Sequence, residues 1–111
     1  MSTGYTIDQT RWADLDIFNQ MGNIYSEVGR SFKNRDQSNE KQRDQAVARA
    51  IDLFNATIQA LNSTGSPKAK EVSRAKEQFL EVITDTHASQ ESIRSLDRYF
   101  MQFAIAMRLN R

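Results

Sequence analysis

The sequence predicts an all-α fold, an antiparallel up-down-up-down four-helix bundle, on three observations. Apolar residues recur at steps of three and four through four long segments. Short polar stretches rich in capping and turn residues separate those segments. One proline and four glycines in 111 residues suit long helices and disfavour a chain of hairpins. The expected helices span about 10–34, 40–62, 67–84 and 90–109.

The first segment carries Phe18, Met21, Tyr25, Val28 and Phe32 on one helical stripe, widened by Ile17 and Ile24. Gly22 and Gly29 lie one heptad apart at its edge. Glycine inside a helix costs about 1 kcal/mol relative to alanine, so the pair predicts close approach of another helix there. The alternative is approach of a ligand. Asn34-Arg35-Asp36-Gln37-Ser38-Asn39 then interrupts with no apolar residue, and Ser38 or Asn39 is placed to cap the next helix.

The second segment holds Val47, Ala50, Ile51, Phe54, Ile58 and Leu61 at helical spacing. It ends on Asn62-Ser63-Thr64-Gly65-Ser66-Pro67. Gly65 suits a left-handed closing residue, Ser66 a cap, and Pro67 a first helical turn, where its missing N–H has no partner to lose. The third segment, with Val72, Ala75, Phe79, Val82 and Ile83, therefore folds back on the second. Asp85-Thr86-His87-Ala88-Ser89 breaks it, with Ser89 as the expected cap. The fourth carries Ile93, Leu96, Phe100, Phe103 and Met107.

No stripe can be buried by its own helix, and four stripes facing one axis bury one another. A pair of helical hairpins completed only by dimerisation is the runner-up architecture. Residues 1–9 are expected to be a flexible N-terminal segment and 10–111 a single domain.

Composition narrows the chemistry. Cysteine is absent, which removes disulfides, thiol catalysis and cysteine-ligated zinc. His87 is the only histidine. It falls in a turn near Asp85, without the Glu-x-x-His pairs of a di-metal bundle. There is no phosphate-binding glycine loop and no nucleophile elbow. The expectation is a protein without enzymatic activity, metal or cofactor. The first residues lack the basic and apolar regions of a signal peptide, and no apolar run approaches a membrane span, so a cytoplasmic protein without membrane contact is expected.

Fifteen Lys and Arg against fourteen Asp and Glu leave a net charge of +1. That balance disfavours a dedicated nucleic-acid binder. Two local basic groups keep the idea as the second reading. Arg30, Lys33, Arg35, Lys41 and Arg43 surround the first turn, interleaved with Asp36, Glu40 and Asp44. Lys68 and Lys70 sit near a helix N-terminus, where the macrodipole disfavours cations. These residues are the candidate contacts to an anionic partner such as a nucleic-acid backbone.

The fourth segment is the most informative. Its core stripe clusters within about 100° of arc, yet Met101 and Ile105 project from the other side, with Leu109 continuing the line. Arg94 and Arg98 lie on the same outer face. Met and Arg beside an aliphatic stripe fit a protein interface. Arg94, Arg98, Met101, Ile105 and Leu109 are therefore the candidate interface, and a homodimer is the default assembly. The competing expectation is that Tyr5, Ile7 and Trp12 fold over that face. The leading functional reading is a self-associating accessory or adaptor module. A third reading is a small-molecule cavity lined by Phe18, Phe54, Phe79 and Phe103.

Overall fold

The computed structural model describes residues 7–85 and 90–109; beyond Phe100 the described side chains are those of Met101, Gln102 and Ile105. Tyr5, His87, Ser89, and the side chains of Phe103, Met107 and Leu109 lie outside the described residues. The fold is all-α, with four long helices, one short one and antiparallel helix–helix contacts. In chain order they are α1 (Gln9–Asp14), α2 (Ile17–Asp36), α3 (Glu40–Ser63), α4 (Lys68–Thr84) and α5 (Gln90–Leu109). Among the described residues there is no strand, and no helix is long and apolar enough to cross a membrane.

The first expected helix is in fact two. Asp8 caps α1, its carboxylate accepting from the N–H of Thr10 and Arg11. Asp16 caps α2, accepting from Asn19 N–H at 2.8 Å. Between them Leu15 is extended, with φ −73° and ψ 144°. A second cap inside a periodic run offers the backbone an alternative to continuing the helix. The freed carbonyls find a partner in the buried Gln20 amide, which donates to Trp12 O at 2.9 Å and Leu15 O at 3.1 Å.

The other boundaries follow the sequence closely. Ser38 takes the left-handed conformation (φ 57°), and Asn39 caps α3 through Gln42 N–H at 3.4 Å. The α3–α4 turn is a Schellman closure around Gly65, whose φ is +68°. Ser66 N–H reaches back to Leu61 O at 2.9 Å and Gly65 N–H to Asn62 O at 3.1 Å. Ser66 Oγ then accepts from Lys68 N–H at 3.2 Å.

Within the core, α2 packs on α3 and α5, α4 packs on the same two, and α1 lies on α3. A chain of rings joins all four long helices. Phe32 meets Phe79 edge-on at 5.9 Å, Phe79 meets Phe54 at 6.1 Å, and Phe54 meets Phe100 at 5.9 Å. Tyr25 stacks on Phe100 at 5.9 Å. Each such pair adds about 0.5–1.5 kcal/mol beyond the area it buries. Phe54 and Phe79 are fully buried among these rings. Phe54 and Phe79, two residues of the expected small-molecule cavity, meet by ring contact, and the side chain of Phe103 lies outside the described residues.

Candidate functional site

The two faces of α5 differ sharply. Leu96 and Phe100 are buried, whereas Met101 is 39% and Ile105 50% exposed. Arg94, Arg98, Met101 and Ile105 follow one another by four, three and four residues, so they form a single outer stripe. Arg98 is tied to Glu91 at 3.0 Å, with both side chains largely in solvent. Arg94 is exposed and has no ion pair among the described residues. Leu109 is the last residue of α5.

Of the three residues expected to fold over that face, Trp12 and Ile7 pack with the core and Tyr5 lies outside the described residues. Trp12 is buried, and its indole N–H donates to Thr57 Oγ1 on α3 at 2.9 Å. Gln9 adds a bond from its amide to Ala56 O at 3.0 Å. Ile7 packs against the core cluster. The bonds of Trp12 and Gln9 hold α1 on α3.

Beside that stripe a groove of about 300 Å³ runs between α2 and α5. Val28, Gly29 and Phe32 form its α2 wall, and Ile93, Arg94 and Leu96 its α5 wall. Tyr25 closes one end by donating its hydroxyl to Asp97 Oδ1 at 2.7 Å. That hydrogen bond is the first cause of the raised Tyr25 pKa, followed by burial and the Asp97 charge. Arg94 and Asp97 belong to the groove and lie seven and four residues before Met101, so groove and stripe are one surface. Gly29 meets nothing within 4 Å where a Cβ would stand. The close helix approach expected at Gly29 is absent; its missing side chain instead widens the groove.

Several of the basic residues expected around the first turn are held by their own chain. Arg30 pairs with the buried Glu27. Arg35 donates to Val82 O at 3.1 Å, approaches Asp36 at 3.7 Å and lies over the Phe32 ring at 5.0 Å. Arg43 pairs with Asp44 at 2.9 Å. Lys33, Lys41, Lys68 and Lys70 are exposed, with no ion pair among the described residues. Lys70 borders a shallow depression with Ser73, Arg74 and Glu77, near the α3–α4 turn.

Two features escaped the sequence reading. Glu27 is buried and bound by Arg30 and by Arg49, whose Nε lies 2.6 Å from Oε2. It ties α2 to α3. Leu15, the third large apolar side chain in solvent among the described residues, is 38% exposed at the α1–α2 bend. Its signal in the sequence was its place between Asp14 and Asp16, the second of which is a capping residue. Among the described residues no group of acidic or imidazole side chains is arranged to hold a metal ion. Comparison with protein-family models, with curated proteins and with solved structures finds no match.

Proposed function

We propose that this protein is a non-enzymatic interaction module that self-associates through the outer face of α5 and acts as an accessory or adaptor subunit in the cytoplasm. The observation that carries the reading is the exposure of Met101 and Ile105 on a helix whose opposite face buries Leu96 and Phe100 in its own fold. The four long helices are read as an up-down-up-down bundle, since each turn is short and contact between α2 and α5 closes the ring. Such a bundle needs one apolar face from α5; the second serves a partner. Covering a large aliphatic side chain is worth about 1.5–3 kcal/mol when it passes from full exposure to full burial. A stable interface also needs roughly 1,200 Å² or more in total. The Arg94 and Arg98 stems and the adjoining groove supply the surface that Met101 and Ile105 alone lack.

Light scattering on the wild type and on Ile105→Glu tests this. The wild type is expected at twice the chain mass and the variant at the chain mass, with unchanged helix content. Phosphate contact by Lys33, Lys41, Lys68 and Lys70 is the second reading, favoured by their exposure and by the absence of an ion pair to any of them among the described residues. It is weaker because Arg30, Arg35 and Arg43 are already engaged. It predicts a mobility shift with nucleic acid that falls steeply with salt.

A further inference from the structure

The α2–α5 groove joins an apolar hollow to charges of both signs. Val28 and Leu96 are its buried residues, and the half-buried Phe32 and Ile93 stand beside them. Gly29 adds no side chain, and a Cβ there would meet nothing within 4 Å. The Phe32 ring is held edge-on against Phe79, and Tyr25 is held between Phe100 and Asp97. The walls are therefore formed before anything binds, so little ordering entropy is lost on binding. A volume of about 300 Å³ lies at the small end of the range for small-molecule sites. It suits one ring or one branched aliphatic group.

The charges both come from α5. Arg94 is exposed and has no ion pair among the described residues. Asp97 Oδ1 accepts from the Tyr25 hydroxyl at 2.7 Å, and Oδ2 has no partner among the described residues. Residues three apart on a helix are neighbours, yet no ion pair joins these two among the described residues. A purely anionic ligand would meet Asp97 as a like charge, and a purely cationic one would meet Arg94. A ligand that carries both charges beside an apolar group meets neither penalty.

We propose that the groove binds a free α-amino acid with a large apolar side chain, such as phenylalanine or leucine. Its side chain covers Val28 and Leu96 between Phe32 and Ile93. Its carboxylate takes the planar fork of the Arg94 guanidinium, and its ammonium donates to Asp97 Oδ2. The site goes beyond self-association through α5, and ligand binding is read separately from the mass of the unliganded chain, so either can fail without the other.

Amide chemical shifts of the nitrogen-labelled full chain test it, at about pH 6, below the ordinary α-amino pKa. Titration with L-phenylalanine is expected to give saturable shifts at Gly29, Ile93, Arg94 and Asp97, and L-leucine to move the same amides. N-acetyl-L-phenylalanine lacks the ammonium, and L-phenylalanine amide lacks the carboxylate. Each is expected to bind about fivefold more weakly, as loss of one exposed ion pair implies. In Arg94→Ala, phenylalanine and its amide are expected to bind alike. In Asp97→Asn, which keeps the oxygen that Tyr25 donates to, phenylalanine and its N-acetyl form are expected to bind alike. Gly29→Leu fills the hollow and is expected to abolish the shifts, with wild-type helix content by circular dichroism. Absence of saturable shifts with both amino acids overturns the proposal, as do shifts that persist in Gly29→Leu. The two blocked forms also stand for the C-terminal and N-terminal residues of a peptide. Wild-type binding of either one as tight as that of free phenylalanine overturns recognition of the two charges.

Discussion

The indole N–H of Trp12 donates to the hydroxyl of Thr57 across 2.9 Å, with both side chains buried. Together with the Gln9 amide bond to Ala56 O, it holds α1 on α3. Trp12→Phe keeps most of the apolar ring and strands the Thr57 hydroxyl. A buried polar group left without its partner costs about 1–3 kcal/mol. Denaturant unfolding is expected to show a loss of that size with little change in helix content. A loss below a few tenths of a kcal/mol would mean that the bond does not hold α1.

Glu27 makes a second test of how the helices are joined. Its buried carboxylate receives Arg30 from its own helix and Arg49 from α3. Both arginines reach solvent, so their charges are partly hydrated even without it. Glu27→Gln is therefore expected to destabilise by about 2 kcal/mol, toward the lower part of the range for charge-assisted bonds. Thermal unfolding of the single variant, and of its combination with Arg49→Gln, should show that the two losses do not add.

Gly29 and Gly65 are expected to respond to alanine with opposite signs. At Gly29 nothing stands within 4 Å of an added Cβ. Helix propensity alone then applies, and Gly29→Ala should gain about 1 kcal/mol. At Gly65 there is also open space, but its φ of +68° is left-handed, and Gly65→Ala should lose about 1 kcal/mol or more. Denaturation midpoints of the two variants measure both. Destabilisation by Gly29→Ala would show that another element approaches that site.

The tyrosines give a pH dependence with a definite sign. Burial first, and the charge of Glu71 second, push the Tyr99 phenol up to about 12 from its ordinary 10.0. The folded state holds that proton more tightly than the unfolded chain does. The resulting stability is fully present below the unfolded pKa and is lost as pH rises through the folded one. Tyr25 shifts in the same direction, chiefly through its bond to Asp97. Stability is expected to fall as pH rises above about 10. Phenolate absorbance should show a late phase that Tyr99→Phe removes.

Much of the fold was legible because helix periodicity and turn chemistry are local. Gly65, Ser66 and Asn39 act as their residue types dictate, and α3 and α4 lie within a residue of their expected ends. The break at Leu15 was missed although its signal was present, since Asp16 stands immediately before the apolar run that begins at Ile17. The apolar pattern continues on both sides of the bend and masks it. The Trp12–Thr57 bond and the burial of Glu27 depend on partners 45 and 22 residues distant, which periodicity does not encode. The outer stripe of α5 was legible from spacing alone. The groove beside it was not, because two glycines one heptad apart read first as close helix packing, and Gly29 faces open space instead.

The most direct test of self-association through α5 is sedimentation equilibrium across a dilution series, on the wild type and on Met101→Lys. The wild type is expected to pass reversibly between 12.8 kDa and twice that mass, and Met101→Lys to remain at the monomer mass throughout with the same helix content. A wild type at the monomer mass at every concentration would contradict the assignment, as would a Met101→Lys variant that associates as tightly as the wild type.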